Sequence, residues 1–254
     1  MQLFFRKYGE GQPLIILHGL FGSGDNWNTL AKKFSEHSLQ VYIVDLRNHG
    51  LSPHSDEMNY TLMANDVFEL LQKESIHQPI ILGHSMGGKV TMMMDKLFPD
   101  TLKKIIVADI SPQKYPPGHT EVFNALNAVD FNQIKMRKDA EQILRNYLKD
   151  EAVIQFLLKN IYWETPEKLN WRFNLSAIQK HYDEILDSIP LFVSQTPALF
   201  LRGEKSNYIT DSSIGIIHQY YPDAKVVTIS NAGHWIHAEQ PQLFMESVFD
   251  FIKH

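Results

Sequence analysis

The 254 residues are 44% hydrophobic and 21% charged, the proportions of an ordinary folded chain, which excludes a disordered tail, a collagen and a coiled-coil rod. A formal charge of -5 at pH 7, with lysine and arginine scattered along the chain, offers no basic face to a phosphate backbone, so nucleic acid is not an expected partner. Cysteine is absent, which removes disulfides, thiol nucleophiles and thiolate zinc sites together and leaves covalent chemistry to oxygen or nitrogen. No apolar run reaches the roughly 18 residues of a membrane span. The opening MQLFFRKYGE meets Arg6 and Lys7 before a signal-like stretch develops, so a cytoplasmic protein without stable membrane insertion is expected.

In chain order, short apolar runs alternate with amphipathic stretches. Strands are expected at Leu14 to Leu17, Val41 to Asp45, Ile80 to Leu82 and Ile105 to Asp109. Between them Met63, Val67, Leu70 and Leu71 mark one helical face, and Val90, Met93, Met94 and Leu97 another, each with a polar face opposite. From about Pro112 to Pro190 the pattern reads as helical throughout, carried by Ile143, Leu144, Tyr147 and Leu148 and then by Phe156, Leu157, Leu158 and Ile161. Strands at Ala198 to Leu201 and Val226 to Ile229 follow, and Phe244, Val248, Phe251 and Ile252 line a last helix. Because the strand runs are continuous rather than alternating, they are expected to be buried on both faces in a mostly parallel sheet of an α/β domain. Residues 1–111 and 191–254 then form the core, and 112–190 a helical cap, entered through Pro112, Pro116 and Pro117 and left at Pro190.

Gly83-His84-Ser85-Met86-Gly87 carries the chemistry. A Gly-x-Ser-x-Gly match alone is a weak signal, but this one follows Pro79-Ile80-Ile81-Leu82 and opens the amphipathic stretch from Lys89 to Phe98. That is the strand, sharp turn and helix of a nucleophile elbow, whose glycines are needed where the two backbones approach. Ser85 would sit at a helix N-terminus, which favours negative charge beside it; the plainer alternative is a serine that caps the helix. A serine hydroxyl needs a base, and among twelve histidines His234, in Asn231-Ala232-Gly233-His234-Trp235, follows the last strand and so reaches the same sheet edge. His237, three residues on, suggests a metal pair only if a third ligand joins it, and none stands at ligand spacing. His84 is expected to shape the turn. An oxyanion hole needs two backbone N–H groups; Met86 supplies one, and His18-Gly19-Leu20-Phe21-Gly22 supplies the other from Leu20 or Phe21. That loop lacks the glycine spacing of a dinucleotide site and the lysine of a triphosphate site, so neither a cofactor nor a metal is called for.

Through His18-Gly19, Asp45-Leu46-Arg47-Asn48-His49-Gly50-Leu51-Ser52, Gly-His-Ser-Met-Gly-Gly at 83–88 and Ala-Gly-His-Trp at 232–235, the whole chain resembles the α/β-hydrolase superfamily. Asp109-Ile110-Ser111-Pro112 and Trp171-Arg172-Phe173-Asn174 bring it nearest to the YbfF-type esterases and their mitochondrial relatives. The resemblance implies an α/β-hydrolase fold and hydrolysis of esters and acyl thioesters. The chain departs from the commonest superfamily pattern at the acid that orients the histidine: where many relatives carry Asp after the strand ending Leu201-Arg202-Gly203, this sequence has Ser206. Asp109 ends the preceding strand and holds the position of the acid in the family resembled; Asp211 is its main rival and Glu204 a more distant one.

The expected enzyme is therefore a serine hydrolase in which Ser85 attacks, His234 moves the proton, Asp109 orients His234, and the N–H groups of Leu20 and Met86 hold the oxyanion. Its partner is a small ester or acyl thioester, and the residues carry no signal of subunit number. A carbon-carbon bond hydrolase, or a ligand receptor that retains the three residues, would share this pattern. Phe156, Tyr162, Trp163 and Trp171 either line a cavity under the cap or pack the cap itself.

Overall fold

The computed structural model describes all residues, 1–254. The chain begins with β1 (Phe5–Tyr8), β2 (Gln12–Leu17), a 3-10 turn (Gly24–Trp27), α1 (Asn28–Ser35) and β3 (Leu39–Val44). It continues through α2 (Tyr60–Lys73), β4 (Ile80–His84), α3 (Met86–Leu97) and β5 (Lys104–Ala108). Between β5 and the next sheet strand lie α4 (Thr120–Ala128), α5 (Arg137–Arg145), α6 (Glu151–Leu158), β6 (Ile161–Thr165), β7 (Lys168–Trp171), α7 (Leu175–Lys180) and α8 (Tyr182–Leu186). The chain closes with β8 (Ala198–Gly203), α9 (Asp211–Tyr220), β9 (Lys225–Ile229), α10 (Ile236–Glu239) and α11 (Pro241–Lys253).

Seven strands form one sheet in the order β1-β3-β2-β4-β5-β8-β9, and every pairing but β1 on β3 is parallel. This is an α/β-hydrolase fold. The run Leu14 to Leu17 shows why the apolar residues are continuous: Ile15 and Leu17 face the core under α2 and α3, while Leu14 and Ile16 face α1 and α11. After α1 the chain lays β3 beside β2, then crosses to place β4 on the other side of β2. That reversal opens a crevice at the carboxyl ends of the strands.

Four expectations need correction. The 112–190 segment is not helical throughout, because β6 and β7 pair as an antiparallel hairpin from Ile161↔Trp171 to Thr165↔Lys168. Aromatic and β-branched residues around a turn at Pro166 and Glu167 outweigh the helical spacing that ends at Ile161. The strand β1 was not expected, since Arg6 and Lys7 interrupt its apolar pattern; it is an antiparallel edge, where one side needs no cover. The opposite edge strand β9 is only partly buried, with Lys225 and Thr228 exposed. Finally α3 has no polar outer face: every residue from Met86 to Asp95 is buried, because α2, the sheet and α8 enclose it. Its Lys89 ammonium donates to the Leu186 and Asp187 carbonyls at the end of α8, at 3.3 and 2.5 Å.

Candidate active site

The turn from β4 into α3 is held by close backbone approach. A Cβ on Gly83 would stand 2.2 Å from the Gly87 carbonyl oxygen, and one on Gly87 would stand 2.4 Å from that of Leu17. Ser85, at the apex, adopts φ 52°, ψ -118°, a conformation that costs a non-glycine residue on the order of 1–3 kcal/mol. Its N–H donates to Ala108 O at 2.9 Å, and its own carbonyl accepts from Gly88 and Lys89 at 2.8 and 3.2 Å, so the strained turn is fixed on both sides.

His234 arrives from the loop after β9. Its Nε2 lies 3.1 Å from Ser85 Oγ, and its Nδ1 lies 2.7 Å from Asp109 Oδ2. Asp109 directly follows β5, is fully buried and has φ 53°. Its Oδ1 accepts the Gly203 N–H at 3.0 Å, and its Oδ2 also accepts the Ser206 hydroxyl. Thus Ser206, where the family resemblance leads an acid to be expected, bonds to the carboxylate of the neighbouring strand end. The rivals lie elsewhere: Asp211 is 90% exposed and pairs with Arg202, while Glu204 accepts the Asn231 N–H at 2.7 Å.

The His18–Gly22 loop lies beside the same serine, close enough that a Cβ on Gly19 would stand 3.2 Å from Ser85 Cβ. The Phe21 N–H donates to His49 Nε2 at 3.2 Å, whereas the Leu20 N–H makes no bond within the protein. Met86 is the first residue of α3, where N–H groups have no partner inside the helix. Two buried histidines shape this loop. His18 accepts the Leu46 N–H at 3.0 Å on Nε2 and donates from Nδ1 to Gly19 O at 2.8 Å; His49 donates from Nδ1 to Arg47 O at 2.9 Å. Burial lowers His18 to about 4 and His49 to about 3, so both serve as neutral hydrogen-bonding pieces of structure.

His84 and His237 brace the other side. His84 Nε2 donates to the His234 carbonyl at 2.9 Å, and burial holds His84 well below the ordinary histidine range. His237 stacks on Trp27 with centroids 4.1 Å apart, and burial lowers it to about 3. Glu239 completes the bracing by accepting the Gly233 and Trp235 N–H groups at 2.7 and 3.1 Å.

In front of Ser85 opens a cavity of about 750 Å³, walled by the sheet-edge loops on one side and by residues from the 112–190 segment on the other. Of the four cap aromatics singled out in the sequence, only Phe156 lines it, against Trp235. Trp171 is buried in a stack with Phe173, Tyr162 lies under Arg172, and Trp163 is 56% exposed. Sequence reasoning missed Tyr208, whose ring stacks on His234 at 3.9 Å, and the bond from Ser206 to Asp109. A hint lay in the oddity of Ser206 itself: a hydroxyl replacing an expected acid asks which acid it now serves.

A profile of the alpha/beta hydrolase family matches residues 14–247. Esterase YbfF of Escherichia coli is 38% identical over 94% of this chain and 92% of its own length. The sn-1-specific diacylglycerol lipase ABHD11 of Mus musculus is also 38% identical, over 94% of this chain and 80% of its own. Among solved structures, a marine microorganism esterase superposes with a TM-score of 0.96 at 44% identity, covering 99% of both chains.

Proposed function

The chain belongs to the alpha/beta hydrolase family, its relatives include proteins named as esterases and lipases, and from that premise we propose that it cleaves carboxylic esters or acyl thioesters through Ser85, His234 and Asp109. The observation that carries this reading is the unbroken chain of hydrogen bonds from Ser85 Oγ to His234 Nε2 and from His234 Nδ1 to Asp109 Oδ2, facing the large cavity.

Ser85 Oγ attacks the carbonyl carbon while His234 Nε2 takes its proton. The developing oxyanion lies against the N–H groups of Leu20 and Met86, donors already oriented before substrate arrives. The protonated His234 then gives its proton to the departing alcohol or thiol, leaving an acyl-Ser85 ester. Water, deprotonated by His234, attacks that ester, and the acid product leaves with Ser85 restored. Asp109 holds Nδ1–H, so that Nε2 is the free base, and steadies the imidazolium. No metal or cofactor enters this scheme. Residues 112–190 act as the cap that bounds the acyl cavity and limits water.

A fluorophosphonate probe tests the reading, since attack on phosphorus imitates acyl transfer. Covalent labelling of Ser85, abolished in Ser85→Ala and accompanied by turnover of p-nitrophenyl esters, is expected; labelling elsewhere, or none, overturns it.

A further inference from the structure

One titratable side chain on the far wall of the cavity has no part in these steps. His119 stands at the N-terminal end of α4, half-buried, and lines the cavity together with Phe21, Val122 and Tyr182. Its Nδ1 lies 2.6 Å from the Tyr182 hydroxyl oxygen, and that oxygen also accepts the Gly118 N–H at 3.3 Å. The hydroxyl has a single proton to donate, and His119 Nδ1 is its only acceptor within the protein. Donation of that proton to Nδ1 places the ring hydrogen on Nε2.

His119 Nε2 has no protein partner, and it is not among the sealed polar atoms of the interior that lack one. It is accessible, and the space the residue lines is the cavity. Burial lowers His119 to about 4, so the ring is neutral through the working range of pH. The Phe21 ring meets the imidazole nearly edge-on at 6.2 Å, which places the ring next to the loop that carries Leu20. A neutral, oriented donor in a largely apolar wall is suited to a neutral oxygen; it lacks the charge to hold a carboxylate.

Resting on the serine-hydrolase reading, we propose that His119 is a specificity-determining residue whose Nε2–H donates to a neutral oxygen of the substrate lying outside the reacting ester group. That oxygen is an ether, hydroxyl or second carbonyl on an otherwise apolar body. Plain alkyl esters leave the donor facing nothing, and the enzyme discriminates against them for that reason.

The test compares kcat/KM for two matched pairs of esters, in which one methylene is replaced by an ether oxygen in the acyl chain or in the alcohol. Dividing the ether/alkyl ratio of the wild type by that of His119→Leu cancels the intrinsic reactivity of each ester. In at least one pair this quotient should be about fivefold, the worth of one neutral hydrogen bond. His119→Gln, which keeps a donor, should retain most of the preference. Tyr182→Phe, which frees the tautomer, should lose part of it. Quotients within twofold in both pairs, or a preference lost equally in the Gln variant, overturn the proposal. Fluorophosphonate labelling of Ser85 is followed in parallel: its absence in the wild type defeats the hydrolase reading, whereas labelling with unchanged ratios defeats only the role of His119.

Discussion

The loops at the carboxyl edge of the sheet and the segment that faces them across the cavity are built on different physical grounds. Phe21, Ser85, Asp109 and Asn231 all adopt positive φ at the sheet edge, while no residue from 112 to 190 does. The edge loops are sealed by buried histidines and by backbone-to-backbone approach; the segment is made of short helices and one hairpin, and it displays Met136, Tyr147 and Trp163 to solvent. Strained conformations persist only where the surroundings over-determine them. Strained geometry therefore sits where many contacts converge, and the proposed substrate selection falls on the regular elements across the cavity.

Breaking the edge at its most connected residue should have the largest effect. Asp109→Asn is expected to lower kcat by on the order of 10³ to 10⁴, through an imidazole of the wrong tautomer or orientation, with the fold retained. Asp211→Asn and Glu204→Gln should cost less than about tenfold in the same assay. Collapse of activity in Asp211→Asn, with Asp109→Asn fully active, would falsify the assignment. Adding Ser206→Asp to Asp109→Asn should restore part of the rate, because Ser206 already touches the carboxylate that bonds His234.

The same contrast can be drawn with two glycines. Gly83→Ala drives a methyl group into the Gly87 backbone and should cost about 3 kcal/mol or more in chemical denaturation. Gly118→Ala, in the facing segment, meets nothing within 4 Å and should change stability by less than about 0.5 kcal/mol. Similar losses at both positions would erase the distinction.

The buried histidines predict a pH response. His18, His49, His84 and His237 are all held below 6.5, so between pH 6.5 and about 4 the unfolded chain binds protons that the native chain does not. Stability is then complete above about pH 6.5 and falls as the pH is lowered, by about 1.4 kcal/mol per pH unit for each such histidine. His237→Phe keeps a ring on Trp27 and removes one of the four; denaturation curves at pH 7, 6 and 5 should show its slope shallower by about that amount. An unchanged slope would mean that His237 does not stay neutral in the native state.

Much of this architecture was legible from residues adjacent in the chain. The elbow could be read because its requirement is local: a serine between glycines, after an apolar run and before an amphipathic one, dictates its own backbone. The buried parallel strands were legible for a similar reason, since cover on both faces leaves an unbroken apolar run. The edge strand β1 and the hairpin β6–β7 escaped, because a strand covered on one side, or closed by a turn far from the core, carries a pattern that neighbouring residues can mimic or mask.

What adjacent residues could not specify were the meetings of side chains from different strand ends. Asp109 stands against His234, with Ser206 bonded to it, because β5 and β8 pair in the register that sets Ala108 beside Leu201. Likewise Leu20 rather than Phe21 keeps a free N–H only because His49, from the loop after β3, takes the other. Local rules act through bonded neighbours, whereas these contacts depend on strand order and register, which form only when the sheet assembles.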